Sequence, residues 1–127
     1  MRLNAIGIVC SDVAASLRFY RTLGVDFPEF DPGTGHYEAQ LGGGVRLMLD
    51  SEAVMASFND NYTAPSLNDR VSFAVECDTP AGVDAALIGL ATAGHPVIRE
   101  PFDAFWGQRY ATIEDPDGNH VDLYAAL

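Results

Sequence analysis

The chain writes one pattern twice, and that repetition limits its possible folds more than any other feature. The run AIGIVCSD at 5–12 lies over SFAVECDT at 72–79. Val13, Leu17, Tyr20 and Gly24 lie over Val83, Leu87, Leu90 and Gly94, and Gly42, Val45 and Leu47 over Gly118, Val121 and Leu123. Such self-similarity reads as one supersecondary block used twice. Within each copy the hydrophobic period passes from strand-like to helical and back, which gives strand, helix and three further strands. The expected fold is α+β, with two β-α-β-β-β modules at about 3–51 and 70–127. Together they should make a curved, cup-shaped sheet with the helices on its outer side. Residues of about 52–69 have no clear period, hold Phe58, Tyr62 and Pro65, and read as a linker with no more than one helical turn.

Local signals fix the elements. Leu3 to Val9 reads as a strand, and Ser11 or Asp12 caps a helix that runs to about Leu23. Gly24 ends that helix in the left-handed position. Val25 to Phe30 reads as a short strand broken by Pro28, followed by a turn at 31–35 and strands at His36–Leu41 and Val45–Leu49. In the second copy Val71, Phe73, Val75 and Cys77 alternate with polar or small residues. Thr79 then caps a helix with Pro80 at its first position, and Gly94 ends it. Val97 to about Trp106 reads as a strand that Pro101 places near an edge. The chain finishes in a hairpin over Arg109–Tyr124, where Pro116 suits the second position of a type I turn, Asp115 accepts a turn hydrogen bond and Gly118 closes it.

Composition excludes several functions. Seven basic residues stand against eighteen acidic ones, a net charge of −11, and all seven are arginine. Without lysine there is no Schiff-base chemistry and no Walker-type phosphate loop. An acidic chain with no basic stripe argues against nucleic acid or an anionic membrane as partner. No apolar run approaches the roughly 20 residues of a membrane span, and no signal peptide is apparent, so a cytoplasmic protein is expected. Cys10 and Cys77, each at a strand end, read as small buried hydrophobes.

If the apolar phase of each strand faces the helices, the other phase lines the concave face. That phase carries Ala5 and Gly7, Arg46 and Met48, Ser72 and Ala74, and Asp122 and Tyr124. The repeated module, Ser11–Asp12 followed by Phe19–Tyr20 and Leu23–Gly24, and the ending DPDGN at 115–119 before Val121, Asp122 and Leu123 resemble the glyoxalase/bleomycin-resistance/extradiol-dioxygenase (vicinal oxygen chelate) superfamily. The resemblance covers nearly the whole chain and implies a homodimer. It also divides the expected function. Enzymes of that superfamily hold a divalent metal through His in the first strand of a module and Glu, Gln or His in its last strand. Its antibiotic-sequestering members bind a drug with no metal.

By that resemblance the four metal positions fall on Ala5, Arg46, Ser72 and Asp122, and a two-residue slip would exchange Ser72 for Arg70. Only Asp122 is a ligand-type side chain, whereas a catalytic metal takes roughly three protein ligands. His120 shares a face with Asp122 and makes at most a two-ligand fragment; His36 and His95 lie elsewhere. The expectation is therefore no metal and no cofactor. Arg46 suits an anionic or carbonyl group, and Asp122 is the candidate base if the protein is an enzyme.

One further stretch stands out. Phe102, Phe105, Trp106 and Tyr110 put four aromatics within nine residues ahead of the final strand, suited to stacking on a flat ligand or to packing. The candidate ligand-binding residues are Tyr37, Arg46, Met48, Ser72, Phe105, Trp106, Tyr110, Asp122 and Tyr124. The favoured reading is a metal-independent protein that binds a small aromatic or amphipathic molecule in a dimer groove. The alternatives are a glyoxalase-like lyase or dioxygenase with an unorthodox site, and a regulatory or structural member without a ligand.

Overall fold

The computed structural model describes residues 1–66 and 71–127. They form two compact units, the first ending at Ser66. The first unit runs β1 (Ala5–Cys10), α1 (Val13–Thr22), β2 (His36–Gln40), β3 (Arg46–Ser51) and α2 (Glu52–Phe58). The second runs β4 (Ser72–Glu76), α3 (Pro80–Thr92), β5 (Val97–Ala104), β6 (Gln108–Glu114) and β7 (His120–Ala126). The protein is thus α+β, with two mixed sheets and three helices among the described residues.

Each helix begins where its sequence offers a cap. The Asp12 carboxylate accepts from the Ala15 amide at 3.0 Å, and the Thr79 hydroxyl from the Gly82 amide at 3.1 Å. Gly24 and Gly94 take positive φ after α1 and α3.

The sheet of the first unit has the order β1-β3-β2, with β1 parallel and β2 antiparallel to β3. The second sheet has the order β4-β7-β6-β5, with β4 parallel to β7. One phase of the strands is buried. In the second unit it comprises Ala111, Ile113, Val121, Leu123 and Ala125, and α3 brings Val83, Leu87 and Leu90. Arg109 at the end of that phase donates two hydrogen bonds to the Asp84 carboxylate, 2.9 and 3.2 Å, and so ties β6 to α3. The other phase, open in each unit, carries the candidate residues.

Three expectations need correction. Residues 25–30 do not form a strand: the Phe27 amide bonds back to the Val25 carbonyl at 2.9 Å, Pro28 has no amide to give, and Phe27 is buried as an anchor. The first part of the expected linker is α2, two turns long rather than one, capped by the Ser51 hydroxyl on the Val54 amide at 3.1 Å. Val45 belongs to the glycine turn through its bond to the Gly42 carbonyl, so β3 starts one residue later and continues to Ser51. The end of the expected linker, the start of the second module and the alternative ligand position at Arg70 lie outside the described residues. Among the described residues no helix is long and apolar enough to cross a membrane.

Candidate functional site

The open face of the second sheet is half aromatic and half polar. The register sets Tyr124 opposite Tyr110, Asp122 opposite Thr112 and His120 opposite Glu114. Thr112 donates its hydroxyl to an Asp122 oxygen at 2.7 Å. The Tyr110 phenol also hydrogen-bonds to Asp122; burial, with that carboxylate beside it, pushes the phenol up to about 12, so Tyr110 stays a donor at neutral pH. Asp122 therefore accepts from two hydroxyls that hold it in place.

The aromatics meet edge to face. Trp106 lies 6.0 Å from Phe102, 5.0 Å from Phe105 and 5.5 Å from Tyr110 between ring centroids. Its indole N–H donates to the Gln108 side chain at 2.8 Å. Trp106 is 48% exposed and Phe105 99%, so this cluster forms a rim rather than a core. Arg99 adds a guanidinium 5.6 Å from the Phe102 ring centroid.

The open face of the first sheet is charged. Ala5 pairs with Arg46 and Gly7 with Met48, whose Cε lies 3.5 Å from where a Cβ on Gly7 would stand, in ordinary contact. His36, Glu38 and Gln40 of β2 lie on the same face, opposite Asp50, Met48 and Arg46. Sequence reasoning passed over Glu38 and Asp50. Their alternation with buried Tyr37, Ala39 and Leu49 was the signal that could have found them. Arg46 meets Glu38 at 3.3 Å, and His36 bridges Glu38 at 3.0 Å and Asp50 at 2.5 Å.

The expected site residues are placed unevenly. Met48 and Arg46 share the open face of the first unit; Ser72, Tyr110, Asp122 and Tyr124 share that of the second. Tyr37 does not belong with them. It is buried on the opposite face, and its hydroxyl exchanges two hydrogen bonds with the backbone of Asp31. Asp122 stands opposite Ala74, while Ser72 stands opposite His120. The first unit also holds an open groove of about 640 Å³ between the start of α1, the 30–35 loop and the start of α2. None of the expected residues lines it, and its Asp12 and Ser51 are already committed as helix caps.

The family positions for a metal do not fit one here. Ala5 has no donor atom, Arg46 is a cation engaged with a carboxylate, Ser72 has only a hydroxyl and lies opposite His120, and Asp122 offers a single carboxylate opposite Ala74. His120 faces Glu114 at 3.8 Å instead of completing a set with Asp122. Among the described residues no group of three or more His, Cys, Asp or Glu is arranged to hold an ion.

A sequence profile of the Glyoxalase/Bleomycin resistance protein/Dioxygenase superfamily matches residues 2–123. The chain belongs to that superfamily. Solved structures agree on the fold of this glyoxalase-superfamily chain. A glyoxalase/bleomycin resistance protein/dioxygenase from Nocardioides is 26% identical with a TM-score of 0.71, over 100% of this chain and 84% of its own. A family enzyme from Burkholderia phytofirmans PsJN is 20% identical with a TM-score of 0.80, over the whole of both chains. Lactoylglutathione lyase from Agrobacterium tumefaciens is 21% identical with a TM-score of 0.66, over 98% of this chain and 92% of its own. No curated protein sequence matches this superfamily member.

Proposed function

We propose that this glyoxalase-superfamily protein works without a metal and binds a small aromatic or amphipathic molecule in a groove of a homodimer. The observation that carries the reading is the state of Asp122, the one carboxylate at a family ligand position. Its oxygens are occupied by the Thr112 and Tyr110 hydroxyls, and its surroundings are aromatic. Phe105, Trp106, Tyr110 and Tyr124 offer ring faces and edges; Asp122 and Ser72 offer polar contacts. In the first unit Met48 and Arg46 present an apolar and a cationic group on the open face.

Elemental analysis of freshly purified protein is expected to find no stoichiometric zinc, nickel, iron or manganese. About one such ion per chain, lost in Asp122→Ala, would falsify the reading. Sedimentation at micromolar concentration is expected to give a dimer; a monomer there removes the groove.

Stacking predicts a separable effect of Trp106. Because the indole is half exposed, Trp106→Ala should cost about 1 kcal/mol of stability or less, well short of the roughly 3–5 kcal/mol of a buried aromatic. It should nevertheless weaken a planar ligand by about 0.5–1.5 kcal/mol. A thermal-shift screen of planar aromatic compounds and antibiotics against wild type and Trp106→Ala reads both quantities. Stabilisation undiminished by the substitution places the ligand elsewhere, and turnover of a stabilising compound returns the protein to the enzyme class.

A further inference from the structure

On the open face of the first sheet, two cations converge on one carboxylate. Glu38 puts one oxygen 3.0 Å from His36 Nε2 and the other 3.3 Å from Arg46 Nε. The far side of the imidazole is fixed by Asp50, whose oxygen lies 2.5 Å from Nδ1. A carboxylate only accepts, so a ring with a carboxylate at each nitrogen must donate from both, and His36 is an imidazolium in this arrangement. The hydrogen bond it donates to Asp50, then the one it donates to Glu38, raises its pKa above the ordinary histidine value. Two cations and two carboxylates therefore balance along β2 and β3.

The fit of Glu38 to this fork is incomplete. Arg46 Nε is buried and makes no hydrogen bond of proper geometry, although the Glu38 oxygen is within ion-pair distance. A buried guanidinium donor with no acceptor in line is costly, and an incoming acceptor at that point would relieve it. The side chain of Glu38 is 41% exposed, and among the described residues β2 is an edge strand paired only with β3, so the carboxylate can swing away without disturbing the sheet.

We propose that His36 and Arg46 form an anion site for the carboxylate of a small organic acid, and that Glu38 occupies it as a built-in competitor. Asp50 sets the ring so that Nε2 faces the site. Arg46 supplies the planar fork that matches a carboxylate. Glu38 must leave for a ligand to enter, because a second carboxylate beside Glu38 and Asp50 would be repelled. The apparent affinity of the unmodified protein is reduced by the fraction of time that Glu38 holds the fork. The site lies within the first unit and does not depend on the aromatic face of the second.

The test uses benzoate as probe, benzamide as its neutral isostere and inorganic phosphate as a non-planar anion, followed by NMR of the His36 ring and the Arg46 Nε–H. In Glu38→Gln, benzoate should bind about tenfold or more tightly than in wild type, as expected when a competitor that fills the fork most of the time is removed. Benzamide should gain nothing, and phosphate should gain less than benzoate. The charged groups facing His36 are Glu38 on its own strand and Asp50 and Arg46 on β3. Once Glu38 is neutral, benzoate binding should be strongest below the His36 pKa and weaken as pH rises through it.

Adding Arg46→Ala to Glu38→Gln should abolish the gain. If that double variant does not fold, Arg46→Lys in the same background keeps the charge, loses the fork and should abolish it too. Equal benzoate affinity in wild type and Glu38→Gln overturns the proposal. So does a gain that survives loss of the Arg46 guanidinium, or one shared equally by benzamide.

Discussion

Asp115→Ala is expected to lower the stability of the protein by about 3 kcal/mol. The residue is 2% exposed and sits between β6 and β7, where its carboxylate closes the connecting turn. It accepts from the Asp117 amide at 2.9 Å, the Asn119 amide at 2.8 Å and the Asn119 side chain at 2.8 Å. The backbone adds Gly118 N–H to Asp115 O at 3.0 Å and Asp115 N–H to Asn119 O at 2.9 Å. Hydrogen bonds to a charged acceptor contribute about 1.5–3 kcal/mol each, but the freed amides are half exposed and partly recover water, so the loss is less than their sum. Urea unfolding reads the effect as a fall in midpoint with unchanged slope. Asp115→Asn keeps one acceptor oxygen and should lose less than Asp115→Ala. A change below about 1 kcal/mol in Asp115→Ala would mean that Pro116 and Gly118 hold the turn unaided.

Leu123→Ala should cost about 2–5 kcal/mol, the range for truncating a leucine in a core that cannot collapse around the gap. Leu123 is fully buried on β7, which lies inside the sheet with β4 on one side and β6 on the other. Its cross-strand neighbours on that face are Ala111 of β6 and Val75 of β4. Neither alanine nor the strand backbone can move to fill the space. Ile88→Ala on α3 is the matched control: Ile88 is 64% exposed, so its loss should stay within about 0.5 kcal/mol. The same urea experiment compares the two, and equal effects would place Leu123 outside the core.

Much of the architecture was legible from local chemistry. Thr79 and Pro80 announce the start of α3, Gly24 and Gly94 follow the helices at positive φ, and the turn at 115–118 has the residues its geometry needs. The strand expected at Val25–Phe30 failed because Val25, Phe27 and Phe30 spaced among polar residues do not say where the backbone hydrogen bonds go. Here the Val25 amide is taken by the Tyr20 carbonyl at 3.0 Å, at the end of α1, and the segment folds onto itself. α2 left no apolar period because none of its residues is buried; only Ser51 as its cap marked it.

The candidate site was readable by phase and unreadable by partner. Alternation put Arg46, Met48, Asp122 and Tyr124 on open faces. The same alternation put Tyr37 with Ala39 on the buried phase, a signal passed over, but it could not tell that the Tyr37 hydroxyl is spent on the Asp31 backbone. Nor could it give register. Which residue stands beside Asp122 depends on how β4 and β7 align, and the pairing of Ala74 with Asp122 is a property of the folded sheet.

The position of Trp106 has an optical consequence. It is the only tryptophan in the chain, and its half-exposed indole sits among Phe102, Phe105 and Tyr110 at 5.0–6.0 Å. Excitation at the red edge of the protein's absorption therefore selects a single emitter on one known face. A quench or wavelength shift on adding a compound reports an event sensed at that indole, with no second fluorophore of its kind to disentangle.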